Sequence, residues 1–146
     1  YTFWQADIQS VLHSPVAHGP NTLIVSNPPY IPTPLGVTDH FFTPINAGED
    51  GSRYILQTLE QDYLPGTTIA LLWGSLTSPF EILPLIEERF DVLHQEAHRI
   101  HFGSYTSRPV IHQHLEELLL QGRIFFEKDE KWGNIQYVFG TILKAR

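Results

Sequence analysis

The sequence contains neither cysteine nor methionine, and it has no run of about eighteen apolar residues. The lack of cysteine excludes disulfide scaffolds, thiolate metal sites and cysteine nucleophiles. There is also no basic start followed by an apolar stretch, which is the pattern of a secretion signal. We therefore expect a soluble, cytoplasmic protein that has no membrane partner and whose chemistry depends on oxygen and nitrogen groups.

Basic residues are scarce in the first part of the chain. Residues 1–88 hold nine acidic residues and a single basic one, Arg53, while the rest of the chain is close to neutral. A surface built on this segment repels a phosphate backbone, because nucleic-acid-binding proteins gain much of their affinity from lysine and arginine. The charge distribution therefore favours a protein substrate over a nucleic acid.

The length and composition indicate one folded domain over residues 1–146. Hydrophobic residues make up 42% of the 146 residues, which is enough for a core, and we find no internal repeat or low-complexity tract. The chain begins with Tyr1 and has no methionine, so we expect it to be the later part of a longer protein.

Apolar runs alternate with helical periodicity along the chain. The run 22–26 has no polar alternation, which is typical of a strand buried on both faces of a parallel sheet. The last two apolar runs, 123–127 and 135–143, are joined by a polar turn and predict an antiparallel pair at the edge of the sheet. We also predict strands at 1–5, 69–73 and 90–100, and helices beginning near residue 52 and at residue 109. A further helix has Ser78 as its cap and Pro79 in its first turn, and it is either kinked at Pro84 or begins near Leu83. The fold class is therefore α/β, with a mostly parallel sheet and antiparallel C-terminal strands.

The segment Asn27-Pro28-Pro29-Tyr30 follows a predicted strand and carries the most specific chemical signal. Two consecutive prolines make the turn stiff and remove two N–H donors, which leaves the carbonyls of Asn27 and Pro28 without local partners. The Asn27 side-chain oxygen and the Pro28 carbonyl could accept both hydrogens of a planar NH2 group, while Tyr30 offers a flat face for it. Such a receptor suits attack by an amide or amino nitrogen on an electrophilic carbon.

Asn27-Pro28-Pro29-Tyr30, preceded by the run 23–26, resembles the signature of class I S-adenosylmethionine-dependent methyltransferases that act on amino or amide nitrogens. The resemblance is strongest to the glutamine methyltransferases of polypeptide chain release factors. It also includes the stretch from Gly48 to Gly51 and the run 3–7, and it covers residues 1 to about 80. It implies a Rossmann-like sheet, of which this chain is the C-terminal, catalytic-side portion.

The resemblance also assigns roles to particular residues. It implies that Asp7 and the Ile8 backbone bind the adenine of S-adenosylmethionine, with Asn27 beside the cofactor. It further implies that Asn27, Pro28, Pro29 and Tyr30 hold the substrate amide, with Asn27, Pro28 and Tyr30 catalytic. No glycine-rich G-x-G turn follows a strand in this chain, so we expect the chain to hold about half of a cofactor site and to bind S-adenosylmethionine poorly alone.

Several of these features have structural alternatives. A Pro-Pro turn can simply end a strand, and Asp7 can cap a turn or helix as well as bind a ligand. We interpret Glu49 and Asp50 as caps of the helix that begins near residue 52. His94, His98 and His101 are closely spaced, but no carboxylate at a matching offset completes a zinc pattern, so we predict no metal site.

We therefore predict an N-methyltransferase that acts on a planar nitrogen, with a release-factor-like protein glutamine as the acceptor. One alternative is a methyltransferase for adenine or guanine amino groups of nucleic acid. Another is a non-catalytic module that keeps the fold in order to bind a partner.

Overall fold

A computed structural model of the chain describes residues 19–37 and 47–146. The described part contains five strands in one sheet and three helices, which confirms the α/β class. In chain order these are β1 (Leu23–Ser26), α1 (Arg53–Leu59), β2 (Thr68–Gly74), α2 (Pro79–Arg89), β3 (Phe90–His101), α3 (Pro109–Leu120), β4 (Glu127–Asp129) and β5 (Gly133–Ala145). The predicted strand at 1–5 lies outside the described residues.

The sheet is mixed, and its strand order corrects the sequence prediction. The main path is β1-β2-β5-β3, with β4 paired to β5. In the described sheet β1 and β2 are parallel neighbours, and β5 runs antiparallel to β2, β3 and β4. Four described strands therefore share one direction and β5 opposes them, so the sheet is mixed and its C-terminal strand is antiparallel, as predicted. The predicted edge position of β5 was wrong, because β5 lies inside the described sheet and β3 ends the path.

Strand β1 is less buried than its sequence predicted. Leu23 and Val25 are 62% and 75% exposed, whereas Ile24 packs against the main core. In the described sheet β1 pairs only with β2, and α1 and α2 pack on the face that carries Ile24. The prediction of a strand buried on both faces was therefore wrong for the face with Leu23 and Val25.

Helix α2 begins at Pro79 and contains Pro84, which agrees with the earlier of its two predicted starts. The predicted cap of this helix and one strand boundary need correction. Ser78 does not cap this helix with its side chain, because its backbone is left-handed, with φ of 50°, and its buried hydroxyl has no hydrogen-bond partner. The strand predicted at 123–127 is β4, which begins only at Glu127, although its antiparallel pairing with β5 is confirmed.

The described residues form two hydrophobic clusters. The main cluster lies between one face of the sheet and helices α1 and α2, with Trp73, Ile55 and Ile82 among its fully buried members. The second cluster joins Leu76, just after β2, to α3 through Leu115. Helix α3 therefore packs against the loops at the carboxyl end of β2, where ligands bind in α/β sheets. None of the three described helices is long and apolar enough to cross a membrane.

Candidate acceptor site at the end of strand β1

The corner Asn27-Pro28-Pro29-Tyr30 leaves β1 at its carboxyl end, next to the parallel strand β2. Its residues differ in burial: Pro28 is buried, Pro29 and Tyr30 are half-buried, and Asn27 is exposed. The described residues contain no cis peptide bond, so both proline bonds of the corner are trans. The prolines thus anchor the turn while the side chain of Asn27 faces solvent.

The corner carries hydrogen-bonding groups that the rest of the described chain does not use. No hydrogen bond joins the Asn27 side chain to another described residue, and no described N–H donates to the carbonyl of Asn27 or Pro28. Neither proline supplies an N–H of its own. The corner therefore presents hydrogen-bond acceptors, as the sequence predicted, and its fixed backbone holds them in place.

The ring of Tyr30 lies over Gly74, the last residue of β2. Its Cδ2 and Cε2 atoms would be 3.7 and 3.8 Å from a Cβ atom added at Gly74. The ring also packs against the main hydrophobic cluster, and burial raises the pKa of the Tyr30 hydroxyl. Tyr30 is therefore neutral at physiological pH, and one side of its ring is supported by the sheet while part of it remains accessible.

Gly51 fixes the second loop of the site against the corner. Its φ of +74° is in the left-handed region, and an added Cβ would lie 2.5 Å from the Tyr30 carbonyl oxygen and 3.1 Å from the Leu76 carbonyl oxygen. Only glycine fits such a position without displacing backbone. This residue therefore brings together the loops that follow β1 and β2.

Asp50 organises the start of α1 and reaches the C-terminal part of the chain. Its carboxylate accepts hydrogen bonds from the Ser52 backbone N–H at 3.0 Å and hydroxyl at 2.7 Å, and from Arg123 at 2.6 Å. Burial opposes ionisation, but the Ser52 hydrogen bonds and the Arg123 charge outweigh it, so the pKa of Asp50 is lowered. Asp50 therefore holds Ser52, the residue before α1, but accepts no hydrogen bond from the first helical turn, and the side chain of Glu49 is exposed, so the structure does not bear out the interpretation of these two residues as helix caps.

The connection from β3 to β5 contacts the loops beside the corner. The hydroxyls of Thr33 and Tyr105 are 3.0 Å apart, and the His114 Nε2–H donates to the Glu49 carbonyl. With the Asp50–Arg123 pair, these contacts attach the segment 102–126 to the loops that follow β1. Sequence reasoning missed the roles of Thr33 and Arg123, and the apolar stripe of α3 indicated that the helix packs but not against what.

The other candidates form no comparable site. Asp7 and Ile8 lie outside the described residues. His94, His98 and His101 are exposed on β3, and among the described residues no group of three histidine or carboxylate side chains is placed to hold a metal ion. Trp73 is buried in the core, where its ring centroid lies 4.6 Å from that of Phe139 and the two rings are tilted by 35°, so its role is packing.

Comparison with family models, with curated proteins and with solved structures finds no match for this chain.

Proposed function

We propose that this chain carries the acceptor side of an S-adenosylmethionine-dependent N-methyltransferase that methylates a protein glutamine. The observation that carries the proposal is the exposed Asn27 amide, which has no hydrogen-bond partner among the described residues, at a corner of two trans prolines with the Tyr30 ring beside it. The parallel pair β1 and β2, with α1 between them in sequence, places this corner where α/β proteins bind ligands. These features support a Rossmann-like methyltransferase sheet as the finer description of the fold.

Each residue of the corner has a role in holding the acceptor. The Asn27 side-chain oxygen and the Pro28 carbonyl accept the two hydrogens of the glutamine NH2 group, and the Tyr30 ring lies against the flat amide. These hydrogen bonds become stronger as positive charge develops on the nitrogen, so they stabilise the transition state more than the bound substrate. Pro29 contributes by fixing the backbone between the two acceptors and the ring.

The cofactor assignment rests on fewer described residues. Asn27 is the one proposed cofactor contact within the described part of the chain, and its exposed amide without a described partner fits that role. S-adenosylmethionine, when bound, supplies the electrophilic methyl group. Asp7 and Ile8 are proposed to hold the adenine, on the family resemblance alone.

A labelled-methyl transfer assay tests the proposal on the full protein that the gene encodes. We expect methylation of release factor but not of RNA or DNA, and we expect Asn27→Ala to lower the rate by about a hundredfold or more, because it removes a transition-state contact. Asn21→Ala, an exposed asparagine just before β1, is the matched control and keeps its rate. Transfer to RNA or DNA would favour the nucleic-acid alternative.

A thermal shift assay separates an enzyme from a binding module. A ligand that binds only the folded protein raises its stability, so saturating S-adenosylmethionine should raise the melting temperature of the full protein. The absence of any shift, together with the absence of methyl transfer to every acceptor, contradicts the proposal and favours a non-catalytic module.

A further inference from the structure

A hollow of about 350 Å³ lies between α3 and the loop that contains Glu49. Its lining includes Pro34, Glu49, His114, Glu117, Leu118 and Gln121. Pro34 follows Tyr30 by four residues, and Glu49 precedes Gly51, which packs against the Tyr30 carbonyl, by two. Two residues span at most about 7 to 8 Å between Cα atoms, so one wall of the hollow is adjacent to the corner.

The walls of the hollow are held in place from both sides. Leu118 is 3% exposed and belongs to the second hydrophobic cluster, which also contains Leu76 at the end of β2. The His114 bond to the Glu49 carbonyl attaches α3 directly to the opposite wall. The Asp50–Arg123 ion pair attaches the C-terminal end of the segment 102–126 to the same loop. These contacts therefore join α3 and Arg123 to the loop that contains Glu49 and Asp50.

The charge of the hollow is negative once its internal ion pair is counted. Glu49 and Glu117 are both exposed at the rim, and no ion pair within the described residues involves either carboxylate. Arg123 also lines the hollow, but its charge is balanced by Asp50 at 2.6 Å, with Glu81 at 3.8 Å. A lining that combines the apolar residues Leu118 and Pro34 with two carboxylates matches a lysine or arginine side chain, whose apolar stem ends in a positive charge. The same carboxylates repel a phosphate group.

We propose that this hollow binds a basic side chain of the polypeptide acceptor, within about four residues of the methylated glutamine. The proposal rests on the proposed function for the identity of the neighbouring corner. It makes the segment 102–126, which follows the part of the chain that resembles the methyltransferase family, the element that selects the acceptor. Glu49 and Glu117 determine specificity by contacting the flanking side chain. They do not contact the reacting nitrogen, which Asn27 and Tyr30 hold.

Peptide binding without cofactor tests the hollow directly. The probes are two fluorescein-labelled peptides with the same single glutamine, one flanked by lysines and one by glutamates, and a labelled RNA oligonucleotide. We expect the full protein to bind the lysine peptide in preference to the glutamate peptide, with a preference that weakens as salt is added. Equal binding of the two peptides, or tighter binding of the RNA, overturns the proposal.

Two charge-neutralised variants assign the preference to the hollow. Glu49→Gln/Glu117→Gln should weaken binding of the lysine peptide by about three- to tenfold, because exposed ion pairs contribute little each, and should leave the glutamate peptide unaffected or more tightly bound. Glu130→Gln, an exposed residue of the β4–β5 turn, is the matched control and leaves both unchanged. An unchanged lysine preference in the double variant overturns the assignment to this hollow.

Methyl transfer then separates this proposal from the proposed function. In the double variant we expect the KM of the lysine peptide to rise by the same factor while kcat stays unchanged, because the hollow does not contact the reacting nitrogen. Failure of the wild-type protein to methylate any acceptor contradicts the proposed function. In that case the peptide-binding preference still tests whether the hollow binds a basic side chain. A fall in kcat with KM unchanged contradicts the specificity role.

Discussion

At the scale of single residues, the candidate site depends on groups that hold its loops together. Asn27 and Tyr30 are the proposed contacts to the acceptor, but Gly51 and Asp50 determine where the neighbouring loop lies. Substitutions of Gly51 and Asp50 test these structural roles separately from the proposed chemistry.

Gly51→Ala should destabilise the protein much more than Gly36→Ala. Both glycines have positive φ, of +74° and +80°, so both substitutions carry the strain of a left-handed residue, about 1 kcal/mol. Only at Gly51 does the added Cβ meet backbone oxygen atoms, which adds about 1 to 3 kcal/mol of overpacking. Urea unfolding of the two variants measures the difference, and equal losses of stability would contradict the close packing against Tyr30.

Asp50→Asn should lower the free energy of unfolding at neutral pH by about 1 to 3 kcal/mol, because it weakens hydrogen bonds to a charged group. The pKa of Asp50 is lower in the folded state than in the unfolded state, so its stabilisation is present above the unfolded pKa of about 4 and is lost as the pH falls through the folded value. Wild type and variant should therefore converge in strongly acidic solution.

Denaturant unfolding across this pH range is the measurement for Asp50, with Asp62→Asn as its control. The Asp62 carboxylate is fully exposed and 3.4 Å from Arg89, so its loss should change stability far less at every pH. A difference between wild type and Asp50→Asn that persists unchanged into acid would contradict the role of the Asp50 charge.

At the scale of elements, the second hydrophobic cluster joins α3 to the loops of the site. Ile31 and Val37, from the loop after the corner, pack against the cluster that contains Leu115. This arrangement gives α3 a stability role and a positioning role that one substitution can test.

Leu115→Ala should destabilise the protein by about 2 to 5 kcal/mol, because Leu115 is fully buried and its truncation leaves a cavity. Hydrogen exchange should accelerate most in α3 and in residues 31–37 and 47–51, while the sheet stays protected, since the main cluster does not contain Leu115. Leu120→Ala on the same helix is the control, because Leu120 is 86% exposed. Uniform acceleration across the sheet would show that the two clusters do not open separately.

Elements determined by local signals were predictable from the sequence. Helix α3 was expected to begin at residue 109 because Pro109 suits a first helical turn and its apolar residues recur on one side, and the structure agrees. Ser78 was misassigned as a cap because its residue type suits that position, while its left-handed backbone could not be read from the sequence. The stiff turn at the corner was predictable because each proline restricts the φ angle of its own backbone and has no N–H.

At the scale of the whole molecule, long-range pairing was the part that the sequence could not predict. Arg123 is 73 residues from Asp50, and Tyr105 is 72 residues from Thr33, so no spacing rule connects either pair. The position of β5 is equally non-local. It is the last strand in the sequence, yet it pairs with β2 and β3, which come much earlier. The corner Asn27-Pro28-Pro29-Tyr30 was thus predictable as a motif, whereas the residues that surround it in the fold were not.

The interior position of β5 has a consequence for how the protein is made. Because β3 joins the described sheet only through β5, it has no strand to pair with until residues 133–145 have left the ribosome. Until then β3 is an unpaired strand that can associate with other nascent chains. Among the described strands, β3 therefore pairs only after β5 has been made, and it is exposed to misfolding until then.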